Sequence, residues 1–172
     1  LNLAAKCGIR RGDFSKAWHY SDKGLALSNK VLKEPTIHKV PILMVRAELF
    51  WRMNKVAEAY NYFNEANDIQ LKFINDNLSR LTEYEQANFM QEAKENFELY
   101  FEFAKSMLAI NSSLSIPILA DAYNLQINTK ARLLEETHNR ISTLSEQSTY
   151  LVNEDYQRWR DLRNEYARLI AR

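Results

Sequence analysis

Cys7 and three histidines, His19, His38 and His138, are the side chains of this chain best suited to act as nucleophile, base or metal ligand. A cysteine nucleophile needs a base beside it and donors for a developing oxyanion. Cys7 lies inside a helical pattern, on a face that should pack, and reads as a buried structural thiol. The histidines are far apart in sequence. Glu135 and His138 have the i, i+3 spacing by which one helix offers two ligands to a di-metal site, but such a site takes two pairs and the second is missing. The pair reads instead as solvated helix surface. The sequence contains no glycine-rich phosphate loop and no zinc-type Cys/His cluster. No catalytic residue, no metal and no cofactor is expected.

The bulk composition says what kind of framework holds these residues. Apolar residues make up 46% and charged residues 26%, which is globular rather than disordered. Three glycines and three prolines in 172 residues are too few for the turns of an all-β fold. Long stretches rich in Ala, Leu, Glu, Lys, Asn and Gln, with no alternating strand run, predict an all-α chain. A formal net charge of +1, with both signs interspersed, argues against direct nucleic-acid binding. Arg10-Arg11 reads as a solvated helix end. One cysteine rules out an internal disulfide and fits a reducing, cytoplasmic setting. No apolar run is long enough to cross a bilayer and no signal peptide opens the chain, so no membrane partner is expected. Asn77-Leu78-Ser79 and Asn111-Ser112-Ser113 match the glycosylation triplet and read as chance matches.

One tract occurs twice, 42 residues apart. Gly12-Asp13-Phe14-Ser15-Lys16-Ala17 continues to Tyr20, Gly24 and Leu25; Asn54-Lys55-Val56-Ala57-Glu58-Ala59 continues to Tyr62, Phe63, Ala66 and Ile69. A turn residue, an apolar anchor and then small residues spell a helix–turn–helix repeat in which two helices approach closely. The first helix should run from Asn2 to Arg11 and end at Gly12, with Asp13 capping a second that carries Phe14, Ala17, Trp18, Leu25 and Val31 and stops at Pro35. Pro41 suits the first turn of a third helix with Ile42, Leu43, Ala47 and Phe50. After the Asn54 turn a fourth carries Val56, Ala59, Phe63, Ala66 and Ile69. Thr82-Glu83-Tyr84-Glu85 is a capping-box pattern opening a long helix with Met90, Ala93, Phe97, Tyr100, Phe101, Ala104, Met107 and Leu108 on one face, widened by Phe89, Leu99 and Phe103. Another begins at Pro117 with Leu119, Ala122, Tyr123, Gln126, Ile127, Leu133 and Leu134. Ser142 to Thr149 reads as a mobile connector and hinge. A seventh helix places Tyr156, Trp159, Leu162, Tyr166, Leu169 and Ile170 on one stripe.

The repeats resemble tetratricopeptide repeats, which set small residues at three fixed positions and large or aromatic residues at three others. In the second repeat these are Ala47, Ala59 and Ala66, and Phe50, Val56 and Phe63. In the first they are Ala5, Ala17 and Gly24, and Gly8, Phe14 and Ser21, of which Gly8 and Ser21 depart from the pattern. The tract from Pro117 through Tyr123-Asn124 and Thr129-Lys130 to Leu133-Leu134, followed by Tyr156-Gln157-Arg158-Trp159-Arg160-Asp161-Leu162, resembles bacterial proteins that join such repeats to a CHAT domain, a caspase-like cysteine peptidase. Arg132 departs from that pattern in a minor way. The resemblance covers essentially the whole chain. It implies two repeats over residues 1–76, an α-solenoid, and a helical connector region over 77–172 preceding a C-terminal peptidase domain of the same polypeptide; any further repeats would lie upstream of Leu1.

The implied function is a non-catalytic protein-binding scaffold regulating such a peptidase. A repeat-type peptide sensor controlling a DNA-binding effector is the alternative. The binding surface of such arrays is the concave face made by the first helix of each repeat. Register places Asn2, Lys6 and Arg10 there from one repeat, and Met44, Glu48, Trp51 and Arg52 from the other, to meet a protein or peptide partner. Trp51 has a second reading, as packing beneath the helix that starts at Thr82.

Overall fold

The computed structural model describes residues 1–32, 36–77, 80–81, 83–110, 113–146, 157–158 and 161–162. Among the described residues up to 146, six α-helices follow in order: α1 (Asn2–Arg11), α2 (Phe14–Val31), α3 (Val40–Arg52), α4 (Val56–Asn77), α5 (Glu83–Ser106) and α6 (Ser115–Glu146). Short 3-10 turns at Ile37–Lys39 and Met107–Ala109 lead into α3 and out of α5. Among the described residues there is no strand, so the all-α expectation holds. The chain divides into a compact unit from Leu1 to Thr129 and a second from Lys130 to Arg172.

The two halves of the repeated tract turn in the same way. At the end of α1 the Gly12 amide donates to Ile9 O and the Asp13 amide to Gly8 O, at 3.0 and 2.9 Å. At the end of α3 the Asn54 amide donates to Trp51 O and the Lys55 amide to Phe50 O, both at 2.9 Å. Each is the paired-bond cap that satisfies the last carbonyls of a helix through one left-handed residue. Gly12 has φ 73° and Asn54 φ 60°. Glycine takes that conformation freely and asparagine is the side chain that tolerates it best. Asp13 then accepts the Lys16 amide at 3.1 Å and starts α2. Its carboxyl is held below its ordinary range by the Lys16 ammonium and by that amide.

Close approach follows from the small residues. A Cβ on Gly8 would stand 3.0 Å from both the Cβ and the backbone N of Ala17, so α1 and α2 touch backbone to backbone. That contact accounts for Gly8 standing where the repeat pattern expects a large residue. Ser21, the other departure, is fully buried and donates its hydroxyl to Trp18 O at 3.0 Å, so its polarity is satisfied inside its own helix. Ala47 and Ala59 close the α3–α4 pair and are likewise fully buried.

Helix α3 is the axis of the first unit. From Ile42 to Phe50 every residue but Glu48 is buried, as befits a helix packed on all sides, and it touches α1, α2, α4 and α5. Its core is continuous across residue 76. The Phe63 ring of α4 stacks on Phe103 of α5 at 4.9 Å and tilts against Tyr100 at 5.4 Å. Ile118, Ala122 and Leu125 of α6 join the same cluster.

Several expectations need correction, among them Leu108, which is exposed in the 3-10 turn after α5 rather than packed. Helix α6 buries Ile118, Ala122 and Leu125, whereas Tyr123, Ile127 and Leu134 are exposed. The sequence carries two apolar stripes there, and the one beside Tyr100 is the one covered. The proposed connector from Ser142 is helical as far as Glu146, because its serines and threonine are weak helix formers but no glycine or proline interrupts them. In α2, Val31 is exposed rather than packed. Pro35, Thr82, the loop at Asn111-Ser112, residues 147–149 and Trp159, Tyr166, Leu169 and Ile170 lie outside the described residues. Leu162 is helical and exposed. In the second unit Arg132 pairs with Glu135 at 2.8 Å along the helix.

Candidate protein-binding groove

The odd-numbered helices of the first unit share a cleft of about 370 Å³. Lys6 and Arg10 of α1 form one lip, and Glu92 and Glu95 of α5 stand among the residues of the other side. Met44, Val45 and Ala93, all buried, make an apolar floor, with Glu48 half-buried beside it. One lip is thus basic, the other acidic and the base oily. Such a layout is able to receive an extended chain and to orient it by charge.

Four of the seven residues placed on the concave face by repeat register, Lys6, Arg10, Met44 and Glu48, border this cleft together. The other three do not line it. Asn2 is half-buried near the start of α1. Trp51 packs edge-on against Phe103 of α5 at 5.8 Å, with the Arg52 guanidinium 4.6 Å from its ring. Trp51 therefore takes its second reading and packs under the long α5 helix, while Arg52 is exposed and also reaches Glu48 at 3.8 Å.

Sequence reasoning missed two residues that shape this region. Gln70 of α4 is 1% exposed, lines the cleft and accepts a hydrogen bond from Asn96 Nδ2 at 3.2 Å. Its signal was present: it interrupts the Phe63, Ala66, Ile74 stripe at a position where an apolar residue is due. Arg46 is buried in the middle of α3. Its guanidinium lies 4.5 Å from the Trp18 ring, 5.4 Å from Tyr62 and 5.9 Å from Phe50, and reaches Asp22 at 3.1 Å. It ties α2, α3 and α4 together at the side chains.

Cys7 is exposed, against the expectation of a buried thiol, because the stripe of α1 that packs is Ala5, Gly8 and Ile9. His19 touches the Tyr20 ring edge-on at 5.6 Å. Among the described residues no three His, Cys, Asp or Glu side chains gather where they could hold a metal ion. Among the same residues no helix is long and apolar enough to cross a membrane. Compared with protein-family models, with curated proteins and with solved structures, the chain finds no match.

Proposed function

We propose that this chain is a non-catalytic, tetratricopeptide-like scaffold that holds an extended peptide or a partner-protein segment in the α1/α3/α5 groove. The observation that carries this reading is the shared cleft itself: residues from two sequence repeats, spaced by the same register, border one oily floor, and α5 adds acidic side chains opposite the basic ones of α1. Two tight helix-end turns of one geometry, 42 residues apart in sequence, fit a stacked repeat array. In its parent polypeptide the chain serves as the regulatory region before a bacterial, cytoplasmic CHAT-type peptidase, as the resemblance of the Pro117 tract suggests. The exposed Ile116, Tyr123 and Ile127 on α6 fit a helix that passes its apolar face to a neighbouring element.

The test is selection of peptides from a random displayed library on this chain, followed by measurement on the double variant Lys6→Glu/Arg10→Glu. Both residues are exposed, so the fold is spared. Selected peptides should carry acidic side chains and lose about tenfold in affinity on the variant. Peptides that bind both proteins equally would place recognition elsewhere. Mass spectrometry of the intact polypeptide then separates a peptidase regulator, followed by a caspase-like domain, from a peptide sensor joined to a DNA-binding domain.

A further inference from the structure

A second cleft, about 320 Å³, lies between α4 and α6 in the first unit, with Tyr100 of α5, whose hydroxyl is spent on Ile118 O, also lining it. Its lining is unusual in charge and chemistry. Asn64, Asn67 and Asp68 come from α4, and Asp121, Asn124 and Asn128 from α6. Two carboxylates and four carboxamides thus share one small volume, with no lysine, arginine or histidine lining it among the described residues. Lys72, a turn beyond Asp68, lines a neighbouring depression that Asp68 also borders, and makes no ion pair with it.

The carboxylates of this cleft are not paired with a cation of the protein among the described residues. Asp68 makes no ion pair among the described residues. Asp121 receives one hydrogen bond, from the Tyr60 hydroxyl, and retains further lone pairs. Asn67 is the decisive group. It is 6% exposed, and its Oδ1 is buried with no hydrogen-bond partner. Buried acceptors are nearly always satisfied, and this unsatisfied one belongs to a residue that lines the cleft.

The chemistry of that donor follows from the inventory. Two carboxylates select a cation. A primary ammonium brings three donors and no acceptor, and so matches a set rich in acceptor oxygens. Too few carboxylate and imidazole ligands gather to hold a bare metal ion among the described residues. Leu71 and Leu125 also line the cleft and offer apolar surface along which a methylene stem can lie while its head reaches the oxygens. We propose that this cleft binds a primary alkylammonium group, with Asp68 and Asp121 supplying the charge and Asn67 Oδ1 the buried hydrogen-bond acceptor. The group is carried either by a lysine side chain or by a free aliphatic diamine.

The full chain is titrated with cadaverine, with Nα-acetyl-lysine N-methylamide and with neutral pentan-1-ol, and amide resonances are followed by NMR. Both amines should shift the Asn67 and Asn124 side-chain amides saturably, and pentan-1-ol should not. Tighter binding of the lysine derivative assigns the site to a protein ligand, and tighter binding of cadaverine assigns it to a free diamine. Asp68→Asn, at an exposed position, should weaken the amines by about fivefold, and Asn67→Leu should abolish their binding. If Asn67→Leu fails to fold, Asp68→Asn decides alone. Amines that shift nothing, that act no differently from pentan-1-ol, or that bind Asp68→Asn as well as the parent would overturn the proposal.

Discussion

Arg46 illustrates how one side chain can be held by several weak forces of unequal size. Its ion pair with Asp22 is open to water on the acid side, where Asp22 is 61% exposed, and such pairs contribute at most about 1 kcal/mol. The three aromatic faces around the guanidinium are drier, and contacts of that kind reach about 2 kcal/mol. Urea unfolding should therefore show Asp22→Asn losing less than about 1 kcal/mol and Arg46→Ala losing about 3 kcal/mol, the excess coming from the rings and the buried stem. Equal losses would mean that the ion pair carries the interaction. None of this was legible in the sequence. Arg46 is one charged letter in an apolar run, and its partners Trp18, Asp22 and Tyr62 stand on other helices. Tyr100 gives a second test. Burial, and then the negative charge of Asp121, raise its phenol above the ordinary 10.0. The unfolded chain therefore ionises first, so this residue's contribution to stability is intact below about pH 10 and falls as pH rises beyond it. Circular-dichroism melts from pH 8 to pH 11.5 should show a shallower alkaline decline for Tyr100→Phe than for the parent.

At the scale of elements, the turns were the most legible part of the chain and the faces of the outer helices the least. Gly12, Asp13, Pro41 and Asn54 act through their own backbones and nearest neighbours, so their letters suffice to place helix ends. Asn54 holds φ 60° without glycine's freedom. Asn54→Ala should cost about 1 kcal/mol and Asn54→Gly should cost nothing or stabilise slightly, as thermal unfolding will show. Gly8 is a sharper case, because alanine is the better helix former by about 1 kcal/mol. Its new methyl would press on the backbone of Ala17, which cannot step aside as a flexible side-chain end could. Overpacking of about 1–3 kcal/mol should therefore outweigh the propensity gain, and Gly8→Ala should melt earlier than the parent. The burial pattern of α6 could not be read in this way. Two apolar stripes of similar strength compete along it, and side chains on other helices, Tyr100 of α5 and Tyr60 of α4 among them, determine that Ile118, Ala122 and Leu125 go inside.

At the scale of the whole chain, the repeats are not self-sufficient. Phe63 and Ile74 of α4 are buried in part by α5, and Tyr100 of α5 donates to Ile118 O of α6 at 3.4 Å. A fragment ending at Asn77 should lose cooperative thermal unfolding and bind a hydrophobic dye, whereas one ending at Thr129 should melt in a single transition. Two sharp melts of equal quality would show that α5 and α6 are dispensable to the core. The groove shares this dependence, because α5 provides its acidic side and Asn96 holds Gln70 beneath it. The joint between the two sequence repeats has a different character. Its aromatic box, formed by Trp18, Phe50 and Tyr62, is of the kind that elsewhere captures a diffusing cation, but here the cation is tethered inside it as Arg46. Covalent linkage fixes the effective concentration of this internal ligand, so dilution cannot empty the box and a soluble methylammonium competitor meets an occupied site. The repeats are thus joined by an intramolecular recognition event, with Arg46 as guest and rings from its own helix and the two flanking ones as host.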